Sequence, residues 1–267
     1  MNEIAMAALV ITAIGVLGGV ILVAASRVMG VEEDGRVAQI AELLPGANCG
    51  ACGAAGCADY AKNVVQNGWA CNRCIPGGKA LADRIAAVMG ADAGEVEEKK
   101  AVVRCQGNRQ NTTDKYRYEG VESCRANAAL FSGRGACEYG CLGFGDCVAA
   151  CPFDAIVLED GLARVERDKC TGCGACVRAC PHDLIALLPA SQAPAVLCCS
   201  RDTGARTRQV CRVGCIACRQ CVKACPVEAI SMEQNVAVID PGKCIACQKC
   251  VSVCPVHTIG RPDRGRA

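Results

Sequence analysis

Large aromatic side chains are nearly missing: the 267 residues include three phenylalanines, four tyrosines and one tryptophan. Aromatics normally dominate core burial, so a soluble region this poor in them must be held together by something else. Runs of basic residues are missing too, and the net charge is only +2, which sets aside a nucleic-acid partner. No G-x-G-x-x-G loop follows a strand pattern and no P-loop is present, so a site for NAD, flavin or nucleotide on this chain is not expected. Cysteine, by contrast, is abundant, with 26 copies. Small cysteine-dense domains use disulfides or metals to make up for a thin core.

Residues Ile4 to Ala25 are 22 positions without a charge. About 20 apolar residues span a bilayer as a helix, so a retained anchor is expected. A signal peptide wants a positive start and a small-residue cleavage site; here the start is Met-Asn-Glu and the run is too long. Arg27 follows the span while Glu3 precedes it, which favours a cytoplasmic C-terminal side. Cysteine density in such a compartment reads as metal binding. Gly15 and Gly19 form a G-x-x-x-G, which either permits a close helix contact or reflects the frequency of glycine in membrane helices.

Four cysteine blocks in the second half end in Cys-Pro. Three follow C-x2-C-x2-C-x3-C-P: Cys170, Cys173, Cys176, Cys180; Cys215, Cys218, Cys221, Cys225; and Cys244, Cys247, Cys250, Cys254. The fourth reads as a stretched version, Cys137, Cys141, Cys147, Cys151, with x3 and x5 in place of the two x2 gaps. Pro152 to Pro181 is 29 residues, as is Pro226 to Pro255. After each Cys-Pro a phrase recurs (FDAI, HDLI, VEAI, VHTI), and the intervals after Ile156 and Ile230 read as strand, turn, strand. A fixed period is a fold signature in its own right. Each pair of blocks is therefore one small domain of two halves.

In this motif three cysteines grip one cluster from a single loop, and the fourth, before proline, ligates the other cluster. The expected sets are Cys137, Cys141, Cys147, Cys180, then Cys170, Cys173, Cys176, Cys151. In the last domain they are Cys215, Cys218, Cys221, Cys254 and Cys244, Cys247, Cys250, Cys225. Such cross-ligation clamps the two halves together and explains how the domain manages without aromatic bulk. Structural zinc usually takes two separated knuckles instead, and disulfides need an oxidising compartment.

After the anchor, Val31 to Leu44 reads as an amphipathic helix ending before Pro45. Cys49, Cys52 and Cys57 then sit in a glycine-rich loop that lets backbone amides approach an anionic cluster. Cys74, before Ile-Pro-Gly-Gly, closes this set after an intervening helix; taken alone, the four could also hold zinc. The run Asn48-Cys49-Gly50, Cys52-Gly53, Gly56-Cys57 and Cys74-Ile75-Pro76-Gly77-Gly78 resembles the cluster domain of RnfB, a component of the Rnf complex. In that family a single membrane helix, this domain and ferredoxin-like domains follow in the order seen here, and the chain resembles the longer branch with two ferredoxin-like pairs. The resemblance implies a membrane-bound oxidoreductase coupling electron flow between ferredoxin and NAD to ion pumping. Its implied partners are soluble ferredoxin and the other membrane and flavin-bearing subunits. Cys71 has no counterpart.

The expected fold is α+β: an anchor over 1–27, a mainly helical [4Fe-4S] domain over 28–95, and ferredoxin-like 2[4Fe-4S] regions over 96–210 and 211–267. Five clusters use 20 cysteines and leave Cys71, Cys105, Cys124, Cys198, Cys199 and Cys211. A sixth cluster on Cys105, Cys124, Cys198 and Cys211 is expected, with Cys198 favoured over Cys199 by the long-branch spacing of a cysteine six residues before glycine (Gly204). The bland alternative is a set of scattered buried thiols. His182 and His257 follow Cys-Pro, but each cluster already has four thiolates. Arg261, Arg264 and Arg266 either steer an acidic ferredoxin or form a solvated tail. The one span carries no charge to form an ion pathway, so ion movement falls to other subunits. The rival functions are a membrane polyferredoxin serving another reductase without a pump, and a zinc scaffold.

Overall fold

In a computed structural model of the chain, residues 3–28, 34–192 and 194–261 are described. Helix α1 (Glu3–Val28) carries an apolar stretch, Met6–Ala25, of mean hydropathy 2.6, none of which is buried against the rest of the chain. A helix apolar all round and packed on no protein belongs in an apolar surrounding. Twenty residues at 1.5 Å each reach about 30 Å, the thickness of the hydrocarbon core. Residues 31–33 of the helix expected to follow lie outside the described residues.

Three helices build the next domain: α2 (Gly35–Leu43), α3 (Cys57–Asn67) and α4 (Gly78–Met89). Asp34 starts α2 by accepting the Arg36 N–H at 2.9 Å, satisfying a donor that the first turn leaves free. Left-handed Gly68 and Gly90 (φ 63° and 64°) end α3 and α4, a conformation glycine reaches without strain. Ile40, Tyr60, Val64 and Ile85 meet in a fully buried core. The Tyr60 hydroxyl, taken into that core, donates to the Ala70 carbonyl at 2.9 Å. This domain has a conventional hydrophobic centre of its own.

The first ferredoxin-like unit runs through β1 (Lys99–Val103), α5 (Cys124–Ala128), α6 (Asp146–Ala149), β2 (Ile156–Glu159), β3 (Leu162–Val165), α7 (Ala175–Ala179) and β4 (Ile185–Pro189). Strands β2 and β3 form an antiparallel hairpin, and β1 pairs antiparallel with β4 from Lys99↔Pro189 to Val103↔Ile185. The second unit repeats the plan with β5 (Ala195–Val196), α8 (Gly204–Val210), α9 (Gln220–Ala224), β6 (Ile230–Glu233), β7 (Val236–Ile239), α10 (Lys249–Ser252) and β8 (Ile259–Gly260). There β6 pairs with β7 and β5 with β8. Both hairpins turn on two residues of positive φ, Asp160-Gly161 (51°, 75°) and Gln234-Asn235 (45°, 68°), the geometry whose twist matches that of the flanking strands.

The opening strand of the second unit therefore lies at Ala195–Val196, ahead of the expected boundary at residue 211. Its sequence contribution is two residues, too short for periodicity to reveal. Between β1 and the first cysteine block lies an insertion that reaches across to the second unit. Thr112 bridges to Cys211, its hydroxyl donates to the Val210 carbonyl at 2.8 Å, and the Arg212 N–H donates to Asn111 at 2.9 Å.

Candidate metal centres

All 26 cysteines lie within the described residues and none is in a disulfide. In the helical domain the loop of Cys49, Cys52 and Cys57 is folded by its own polar groups. The Asn48 side-chain oxygen accepts the Cys57 N–H at 2.8 Å, and the Asp59 carboxylate accepts the Ala55 N–H at 2.9 Å. Cys74 comes back to them after α3. Burial pushes its thiol up to about 11, and Cys52, Cys57 and Cys49 add to the rise. Cys71 is buried in the same apolar core as Cys74. The domain docks on the first unit through Arg178, whose guanidinium donates to the Cys49 carbonyl at 2.7 Å.

The Cys-Pro blocks share one backbone path. Left-handed residues stand two and four positions after the first cysteine: Gly172 and Gly174 (φ 75° and 73°), Ala217 and Arg219 (54° and 61°), Ala246 and Gln248 (54° and 63°). In the block ending Cys151-Pro152 the matching pair is Gly143 and Gly145 (72° and 87°). That makes Cys141 the first cysteine, puts Phe144 where the second should stand, and makes Cys147 the third. The expected stretched block opening at Cys137 does not fit this path. A signal for this register is in the sequence, since Cys141 to Cys170 is 29 residues, as is Cys215 to Cys244.

The fold gathers Cys151, Cys170, Cys173 and Cys176 around one pocket. It gathers Cys215, Cys218, Cys221 and Cys254 around a second, and Cys225, Cys244, Cys247 and Cys250 around a third. The two expected groupings that contain Cys137 and Cys124 are not the ones it brings together. Cys124 lines a pocket with Cys141, Cys147 and Cys180. Cys105, Cys137, Cys198, Cys199 and Cys211 line a cavity of about 350 Å³, which Cys141 also borders. Ring atom Nδ1 of His182 is 2.8 Å from the Gly140 carbonyl oxygen, so that nitrogen carries a proton and is taken. Arg264 and Arg266 lie outside the described residues.

These pockets suit iron–sulfur cores. Burial pushes the thiols of Cys147 and Cys198 up to about 12, and those of Cys137, Cys176 and Cys250 up to about 11. Thiols so placed become thiolates only beside strong positive charge, which bound iron supplies. Backbone amides already point at sulfur: Ala101 at Cys170, Gly107 at Cys105, Ala229 at Cys225 and Thr258 at Cys254, each at 3.3 Å. A Cβ on Gly107 would stand 3.6 Å from the Cys105 sulfur and 3.8 Å from that of Cys211, so this glycine lies between the two sulfurs.

Comparison with known proteins agrees with this chemistry. A family model described as a putative Fe-S cluster domain matches residues 44–76, and 4Fe-4S dicluster models match 132–181 and 214–258. The RnfB-type component of the ion-translocating oxidoreductase complex of Methanosarcina acetivorans is 43% identical over 88% of this chain and 89% of its own length. The chain belongs to the RnfB family of ion-translocating oxidoreductase complexes.

Two further relatives show the same identity. The corresponding component of the proton-translocating ferredoxin:NAD(+) oxidoreductase of Clostridium ljungdahlii is 43% identical over 90% of this chain and 85% of its own length. That of the Na(+)-translocating ferredoxin:NAD(+) oxidoreductase of Acetobacterium woodii is 43% identical over 86% and 69%. As a member of this family the chain is a membrane-anchored, multi-cluster electron-transfer subunit. Helix α1 is apolar and long enough to be its anchor, and the iron–sulfur family models fall within the helical domain and the two ferredoxin-like units.

Proposed function

We propose that the chain carries electrons, one at a time, between soluble ferredoxin and the membrane and flavin-bearing subunits of its complex, with the cluster domains on the cytoplasmic side. Bound [4Fe-4S] clusters supply the one-electron steps, over potentials that hydrogen bonds to sulfur, burial and charge can tune. In this reading there are five such clusters and a sixth beside Cys105, Cys198 and Cys211. Hydride chemistry and ion movement belong to other subunits. The regions are those expected from the sequence, with the last boundary moved ahead of β5.

One observation carries the reading: neighbouring thiol sets are tied to one another by direct hydrogen bonds. Arg178 ties the Cys49 loop to the helix bearing Cys176, and the Cys215 N–H points at the Cys198 sulfur at 3.3 Å. The names of the Clostridium and Acetobacterium relatives support ferredoxin and NAD as the ends of the route.

The test is anaerobic purification with iron and sulfide analysis and a redox titration followed by electron paramagnetic resonance. Six clusters give about 24 irons per chain, and five give about 20. Co-purification with polytopic, flavin-containing subunits is expected. A chain that purifies alone from its native membrane is instead a polyferredoxin serving another reductase.

A further inference from the structure

The first cysteine block lacks a thiol at its second position, where Phe144 stands. Three observations say what replaces it. Cys124, from the insertion ahead of the block, lines the same pocket as Cys141, Cys147 and Cys180, whereas Cys137 does not. Asp146, the residue before Cys147, holds Cys124 there. Its carboxylate accepts the N–H groups of Cys124 at 2.9 Å and Arg125 at 3.0 Å, and the Ser123 hydroxyl at 2.9 Å. Short helix α5 is thus capped by a side chain of α6, and its first residue is fixed beside the third cysteine of the block. Cys124 is also buried, as a ligand to an enclosed core must be.

Cys137 faces elsewhere. It lines the cavity of about 350 Å³ where the insertion meets the start of the second unit, together with Cys105, Cys198 and Cys211. Cys105 and Cys211 flank Gly107. The Cys198 sulfur receives the N–H groups of Ser200 at 3.4 Å and Cys215 at 3.3 Å. The buried Arg104 Nε, which has no partner, belongs to the same lining.

We propose that Cys124 supplies the missing thiol, completing a set with Cys141, Cys147 and Cys180, and that Cys137 joins Cys105, Cys198 and Cys211 in a bridging cluster site between the two ferredoxin-like units. This inference rests on the six-cluster reading above. It makes Asp146 a positioning residue for Cys124. It also arranges the sites as one unbranched series in which the bridging site joins the two units.

Paired substitutions in the full chain, purified anaerobically, separate the groupings, because two ligands of one cluster cost one cluster and ligands of two clusters cost two. Cys124→Ala with Cys147→Ala, and Cys137→Ala with Cys105→Ala, should each remove about four irons. The crossed pairs, Cys124→Ala with Cys105→Ala and Cys137→Ala with Cys147→Ala, should each remove about eight. The reverse pattern overturns the proposal while leaving six clusters standing. A parent content near about 20 irons, with Cys105→Ala silent, overturns the six-cluster reading itself.

Serine variants guard against misfolding, since a serine oxygen can keep the core bound while changing its paramagnetic signal. Cys124→Ser, Cys147→Ser and Asp146→Asn should alter one signal. Cys137→Ser and Cys105→Ser should alter a different one. Cys137→Ser and Cys147→Ser changing the same signal would refute the assignment.

Discussion

The two ferredoxin-like units share a period and a strand plan, yet they differ in how each is enclosed. In the first, Cys170, Cys173 and Cys176 are all buried, β1 and β4 pair over five residues, and the helical domain leans on α7. In the second, Cys218 and Cys247 are exposed, and β5 and β8 pair over two residues. The left-handed positions differ in the same sense. The first unit uses Gly143, Gly145, Gly172 and Gly174, and the second uses Ala217, Arg219, Ala246 and Gln248. At Gly143 and Gly172 glycine is needed because neighbouring backbone presses on the loop. A Cβ at Gly172 would run into the Lys99 carbonyl oxygen, and one at Gly143 into that of Gly161. The second loop is open enough for side chains. One repeat is thus the more enclosed of the two and the other the more open.

The largest contrast should come from metal removal. Under a slow chelator or oxidant challenge, the second unit should lose its irons first, about eight in all. Hydrogen exchange should then rise across residues 214–258 while β1 and β4 stay protected. Earlier loss of protection in β1 and β4 would break the comparison. Residues of the helical domain around Tyr60 and Ile85 should stay protected longest, because their core is apolar and needs no metal.

Gly172→Ala should destabilise the first unit by about 3 kcal/mol or more, combining left-handed strain with a backbone clash. Thermal unfolding of the loaded protein measures it, and a change within about 1 kcal/mol of zero would mean that the loop is not pressed. A smaller effect belongs to Thr258, which is fully buried and whose hydroxyl donates to the Val213 carbonyl at 2.7 Å. Its counterpart in the first unit is Leu184, so this bond is peculiar to the second. Thr258→Val should cost about 1–2 kcal/mol by leaving that carbonyl unpaired, with iron content unchanged. Smallest of all, Ala217→Gly should stabilise the second unit by about 0.5–1 kcal/mol, relieving left-handed strain that is partly offset by unfolded-chain entropy. A loss of stability there would show that the alanine methyl packs against something the first unit lacks.

Much of this was readable in the chain alone. The uncharged run Ile4 to Ala25, the hairpins after Ile156 and Ile230, and the helix between Cys57 and Cys74 all follow from local pattern. For the three perfect blocks the motif's spacing itself implies which thiol crosses over, and the pockets group their cysteines in that way. The strand Ala195–Val196 was not readable, since two residues have no period. Nor was the place of Cys124, which depends on a carboxylate 22 residues away, at Asp146.

By itself the sequence determined the chemistry: thiols in repeated sets, few aromatics to replace them, and one anchor. Spacing within a loop is a local property, and local geometry decides which cysteines grip one core. Tertiary structure alone decided which lone thiols meet across the insertion, because those contacts close long loops that no local rule specifies.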